Sequence, residues 1–266
     1  MRRAVPIWRR PAAARLAAAR RSLSRAGRPT LSYIDAGPAD APGSLILVHG
    51  FAGSAITWSP QVRGLSPAWR IVAPDLRGHG RSDAPAGPYD IDVLVEDLRA
   101  LLAMIDPPHP RLLVGHSWGG CIAAAFAAAD AAAGGVDRLA LLSTPVSFPI
   151  GLAGRLALAM PLWWYRLWWP YRPRWDAAPW ALKAMARQGL AKWDARLVFP
   201  RLRLPCLVLR GAADDDFPGW AFARDVQPVG ARQVDLPRAR HKMQIQSPHL
   251  VNRALDGFLR EALAQD

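Results

Sequence analysis

The chain of 266 residues has little cysteine and almost no lysine. Its two cysteines, Cys121 and Cys206, both lie in apolar runs. That excludes a disulfide-stapled scaffold and points to buried free thiols in a reducing compartment. No His/Cys cluster has the spacing of a zinc site, so no metal is expected. No long uncharged apolar run exists: Arg155 and Arg166 interrupt the most hydrophobic stretch, which argues against a membrane-spanning helix. Arginine outnumbers lysine 31 to 3, a bias read as GC-rich codon usage and not as mechanism. There are no internal repeats.

Acidic residues are missing from one place. Residues 1–28 carry nine arginines and no Asp or Glu, so they hold most of the net charge of +13. This segment also lacks the continuous apolar core, about 7–15 residues long, of a secretory signal. Two readings stay open for it: a solvated basic tail, or a basic amphipathic helix on an anionic membrane surface. The expected location is cytoplasmic, with peripheral membrane contact under the second reading. Deletion of residues 1–28 is expected to leave turnover intact. Nucleic-acid binding is not expected, because the basic residues lack interleaved stacking aromatics and no such motif occurs.

Short apolar runs then alternate with helix-like stretches. LSYIDAG, LILVHG (45–50), IVAPD (71–75), RLLVGHS (111–117), RLALLS (138–143), PCLVLRG (205–211) and RQVDLP (232–237) read as strands. Residues 89–105 show apolar spacings of three and four, as an amphipathic helix does. Residues 118–131 are a small-residue helix able to pack close to a sheet, and HLVNRALDGFLREAL is the last helix. Alternation of this kind predicts an α/β fold with a mostly parallel central sheet flanked by helices. Residues 147–200 break it. They hold seven of the twelve tryptophans, punctuated by prolines, and read as an inserted helical lid. The expected organisation is a basic tail (1–28), a core built from 29–146 and 201–266, and the lid.

Within LLVGHSWGGCIA (112–123), Ser117 stands between Gly115 and Gly119, after a strand and before a helix. That is the arrangement of a nucleophile elbow: a sharp turn that projects the serine from the sheet edge at a helix N-terminus. A serine needs a base. Of six histidines, His49, His79 and His116 sit in glycine-bearing turns and His109 lies between prolines. His241, four residues past RQVDLP, is in the place a base requires; His249 opens the last helix. The strand LVLRG runs into AADDD, which leaves Asp214, Asp215 and Asp216 as candidate acids.

The chain resembles the α/β-hydrolase fold superfamily, in its serine esterase and monoacylglycerol-lipase-like branch, over residues 29–266. The resemblance rests on LVHGF (47–51), APDLRGHGRSD (73–83), GHSWGG (115–120), RGAADD (210–215) and HKMQIQSP (241–248). It implies Asp214 as the acid, three residues past Gly211, and a Ser117–His241–Asp214 triad. Gln246 and Pro248 fit the pattern after the histidine; Arg240 departs from the glycine common before it. The resemblance also implies an oxyanion hole formed by the backbone N–H groups of Phe51 and Trp118, and no cofactor. The superfamily's epoxide hydrolases and haloalkane dehalogenases use aspartate where this chain has Ser117. The expected substrate is a lipophilic carboxylic ester, with Trp163, Trp164 and Trp168 as lid residues that could contact it. Three rivals remain: a carbon–carbon bond hydrolase, a cofactor-free perhydrolase or haloperoxidase-like enzyme, and a catalytically silent accessory protein on the same fold.

Overall fold

A computed structural model describes residues 16–129, 135–148, 156, 158–161, 163, 176–214 and 228–264. Eight strands form one sheet: β1 (Arg20–Arg25), β2 (Arg28–Ala36), β3 (Ser44–Val48), β4 (Arg70–Pro74), β5 (Arg111–His116), β6 (Arg138–Leu142), β7 (Cys206–Gly211) and β8 (Arg232–Leu236). Their spatial order is β1-β2-β4-β3-β5-β6-β7-β8. β1–β2 and β2–β4 pair antiparallel, and every other neighbouring pair is parallel. Six helices are used below: α1 (Ser59–Leu65), α2 (Ile91–Ile105), α3 (Trp118–Ala129), α4 (Pro179–Gln188), α5 (Met243–Gln246) and α6 (Pro248–Leu263).

The unbroken apolar strands follow from helices on both faces. In β3, Ile46 and Val48 join one core cluster with Leu94 and Leu98 of α2 and Ile122 and Phe126 of α3. Leu45 and Leu47 join the other, with Val62 of α1 and Val251, Leu255 and Leu259 of α6. Successive residues point to opposite faces, so a strand covered on both sides has no polar position left. α2 starts where Asp90 caps it, its side chain accepting from Val93 N at 3.1 Å. Eight of the twelve residues of α3 are Ala or Gly, which lets it lie close against β5 and β6.

The sheet is longer by one strand than the sequence reading has it. The segment read as a basic tail is, from Arg20, an edge strand whose residue Leu23 is buried against Leu31. Its arginines are partnered: Arg20 Nη1 lies 2.5 Å from Asp75 Oδ2, and Arg25 Nη2 lies 2.6 Å from Asp97 Oδ1. Arg77 Nε also bonds Asp97, at 2.6 Å. Asp75 is fully buried and takes two backbone donors as well, Ala55 N at 2.7 Å and Arg81 N at 3.1 Å. A boundary at residue 28 therefore cuts through the sheet. Deletion of residues 1–28, expected to leave turnover intact, would remove this strand. Residues 1–15 lie outside the described part.

Among the described residues no helix is long and apolar enough to cross a membrane. Cys121 and Cys206 are both buried and free. Burial pushes the Cys206 thiol up to about 12 and raises Cys121 as well, so neither is a reactive thiolate.

Removing one partner of a buried ion pair costs about 3–5 kcal/mol. Arg20→Met, which leaves the Asp75 carboxylate buried without its guanidinium, is expected to lower the unfolding free energy by that order. Urea denaturation of the variant beside wild type measures it. An unchanged midpoint would mean that the two backbone donors suffice.

Candidate active site

All parallel strands end on the same sheet edge, and the candidate residues sit on the loops that leave it. His49 and Gly50 follow β3, Ser117 follows β5, Asp214 lies three residues past the end of β7, and His241 five past the end of β8.

Ser117 adopts φ 53°, the left-handed region, between the last residue of β5 and the first of α3. For a residue with a Cβ that conformation costs about 1–2 kcal/mol. It is held by bonds on both sides: Ser117 N donates to Leu142 O at 2.9 Å, and Ser117 O accepts from Gly120 N at 2.9 Å. Gly119 has no room for a side chain, because a Cβ there would run into the carbonyls of Val48 and His49. The elbow and the end of β3 thus touch backbone to backbone. Gly50 closes the same contact from the other side; a Cβ on it would lie 3.3 Å from Ser117 Cβ and 2.9 Å from His116 Nδ1.

The loop after β3 is braced at several points. His49 Nε2 accepts from Leu76 N at 3.0 Å, so its Nδ1 carries the proton and donates to Gly50 O at 2.9 Å. Ala52 is left-handed at φ 57°. Asp176, from the segment between β6 and β7, ties in as well: its N–H donates to Ala52 O at 3.2 Å, its Oδ2 accepts from Ser54 Oγ at 2.8 Å, and its carbonyl accepts from Gly80 N at 2.6 Å. Trp118 is the first residue of α3, where a backbone N–H has no intrahelical acceptor. Phe51 follows Gly50 directly. The two residues whose N–H groups the resemblance implies as donors thus lie on the loop after β3 and at the start of α3. Their side chains differ: Trp118 is fully buried in the core beside Gly189 and edge-on to Phe148 at 5.9 Å, while Phe51 is half-buried.

His241 Nδ1 lies 3.2 Å from Asp214 Oδ2, and both side chains are buried or nearly so, at 10% and 4% exposed. The two loops that carry them are joined by backbone bonds, Ala212 N to Leu236 O at 3.1 Å and Ala213 N to Ala239 O at 2.9 Å. Arg240, the departure from the usual glycine, is accommodated because the left-handed residue of this loop is Arg238, at φ 59°. Asp215 and Asp216 lie outside the described residues, as do Trp164 and Trp168. Trp163 is described and is 66% exposed. His109 and His249 are remote in kind: the first pairs with Asp137 at 2.6 Å on the surface, the second lies in the first turn of α6.

Two contacts were not legible in the sequence. His116 Nε2 lies 2.8 Å from the carbonyl of His241, and Asp176 bridges the loops after β3 and β4. Neither has a local signature, since the partners are 125 and 122 residues apart.

Comparison with known proteins identifies the family and the fold. The α/β hydrolase fold family matches residues 43–187, and the chain belongs to it. Among curated proteins it is 40% identical to epoxide hydrolase 4 of Mus musculus over 93 residues, 34% of this chain and 25% of that one. It is 36% identical to the magnesium-chelatase 30 kDa subunit of Rhodobacter capsulatus over 143 residues, 53% of this chain and 44% of that one. The matches thus span a quarter to less than half of these relatives' own length. Among solved structures, an esterase from Thermogutta terrifontis has TM-score 0.74 at 24% identity, covering 91% of this chain and 98% of that one. A bromoperoxidase from Bacillus anthracis has TM-score 0.72 at 21% identity, covering 91% and 99%.

Two measurements probe the site's strain and burial. Ser117→Gly is expected to be more stable than Ser117→Ala by about 0.5–1 kcal/mol, because glycine adopts the left-handed turn without a Cβ penalty and offsets its own entropy cost. Equal melting temperatures would show that the turn relaxes. Burial also holds His79 and His116 down to about 3 each, against 6.5 in an unfolded chain. Below pH 6.5 the unfolded state takes up protons that the folded state refuses. Stability is therefore full above that pH and falls as pH drops towards 3, by about 1.4 kcal/mol per pH unit for each histidine. Urea midpoints between pH 7 and 4 test this, and a flat profile would refute it.

Proposed function

We propose that the chain is a serine hydrolase that cleaves carboxylic esters of lipophilic alcohols or acids, through an acyl-enzyme on Ser117. The observation that carries this reading is the His241–Asp214 pair at 3.2 Å on the same sheet edge as the left-handed serine. In the proposed cycle, Ser117 Oγ attacks the ester carbonyl and its proton passes to His241 Nε2. Asp214 accepts the His241 Nδ1–H and offsets the charge that forms on the ring. The N–H groups of Phe51 and Trp118 donate to the oxyanion. The imidazolium then protonates the leaving alcohol. Water, deprotonated by His241, hydrolyses the acyl-enzyme and restores Ser117.

A serine at position 117 speaks against an epoxide hydrolase mechanism, which uses a carboxylate nucleophile in this fold, despite the local likeness to epoxide hydrolase 4. The lipophilic preference is supported by the exposed Trp163 and Leu156 in the segment between β6 and β7. The membrane reading of the N-terminus weakens for Arg20 and Arg25, which are engaged within the fold. It applies to the residues before them.

The test is hydrolysis of p-nitrophenyl esters from acetyl to palmitoyl. Activity is expected to rise with chain length. Ser117→Ala and His241→Ala should each lose about 10⁴-fold or more in kcat, and Asp214→Asn on the order of 10⁴-fold, without unfolding. Activity on acetyl alone would sink the lipophilic reading. No ester turnover, with Ser117 still labelled by a fluorophosphonate, would favour carbon–carbon bond hydrolysis or perhydrolysis. Absence of labelling would favour the silent accessory protein.

A further inference from the structure

His116 is the last residue of β5 and the covalent neighbour of Ser117. Its side chain is buried, at 5% exposed. Nε2 lies 2.8 Å from the backbone carbonyl of His241, and the two imidazole rings stand 4.8 Å apart, centroid to centroid, tilted by 54°. A carbonyl only accepts, so Nε2 carries the proton and donates. On the other side, Nδ1 faces Gly50, which leaves the ring its space. The ring therefore has one tautomer and one orientation, wedged between the loop after β3 and the loop after β8.

We propose that His116 is a positioning residue: through the bond from its Nε2–H to the His241 carbonyl, it sets where the base stands relative to the serine next door in sequence. This rests on the reading of Ser117 and His241 as nucleophile and base. One buried side chain, on the residue bonded to Ser117, thus reaches the backbone of His241. Asp214 fixes the His241 ring from the Nδ1 side, which leaves the backbone of residue 241 to be fixed from elsewhere. His116 supplies that second anchor. It stays neutral, since burial and the nearby His241 ring both oppose a charge on it. It thus orients the base and leaves the proton traffic to His241.

The chemistry of the contact dictates the variants. Glutamine places an amide nitrogen where Nε2 stands, asparagine places one only where Nδ1 stands, and leucine fills volume without a donor. In the full chain, His116→Asn and His116→Leu are expected to lose about 10²-fold in kcat on p-nitrophenyl esters with KM nearly unchanged, while His116→Gln stays within about tenfold of wild type. A second readout does not depend on turnover. The low-field NMR resonance of the His241 Nδ1–H bonded to Asp214 should persist in His116→Gln and broaden or vanish in His116→Asn and His116→Leu. Melting temperatures identify any variant that fails to fold, and the Gln–Asn contrast then carries the comparison. Folded Asn and Leu variants with wild-type kcat and an intact resonance would overturn the proposal. So would a Gln variant as impaired as they are, because that indicates shape and not the hydrogen bond. If wild type neither turns over esters nor labels at Ser117, the reading of the site falls. The resonance still decides whether His116 orients His241.

Discussion

The structure depends on a close approach of backbones at the tip of β5. Ser117 can stand in a left-handed turn only if the chain before and after it passes within contact distance of the end of β3. Gly119 against the Val48 and His49 carbonyls, and Gly50 against Ser117, are the two positions where that contact leaves no space for a side chain. This packing holds the loop that carries Phe51 against the turn that carries Ser117 and Trp118. The turn's strain is offset by the parallel pairing of β5 with β3 and β6, which holds the strand ends in register.

Rigidity of the loop after β3 comes from polar groups drawn from distant parts of the chain. Asp75, at the end of β4, collects donors from Ala55, Arg81 and Arg20. Asp176 collects Ser54 and returns its own N–H to Ala52. The first links the site to the N-terminal edge strand, the second to the segment inserted between β6 and β7. Asp75 is buried, and a buried carboxylate is costly unless its lone pairs are filled. Asp176 is exposed, and the two carboxylates together brace the loop after β3.

Much of this was legible in the residues, and the failures have physical causes. Strands covered on both faces announce themselves as apolar runs, which is why β3 to β7 could be read to within a residue or two. The elbow was legible because glycine spacing records a steric demand. β1 was not, since RRSLSR buries only Leu23 and shows five polar residues to one apolar. An edge strand stabilised by ion pairs to residues 55 and 72 positions away leaves no local trace. The acid could be narrowed to three adjacent aspartates from composition, and only the family pattern chose Asp214. The contact of His116 with the His241 carbonyl was hidden because a histidine between glycine and serine looks like part of the turn.

Four buried histidines crowd this edge, and their partners separate their roles. His49, His79 and His116 each bond a backbone carbonyl: Gly50 at 2.9 Å, Arg77 at 3.0 Å and His241 at 2.8 Å. A carbonyl dipole fixes a tautomer but compensates little of the desolvation cost of a cation, so all three are held down by burial. His241 is hydrogen-bonded to a carboxylate, that of Asp214. A carboxylate partner is what the proposed cycle asks of its base. Position along the chain pointed to His241, and the contact with Asp214 supports that proposal on separate physical grounds. The same comparison explains why a neutral His116 can sit 4.8 Å from His241 without competing for the proton. Burial and the neighbouring His241 ring together oppose a charge on it.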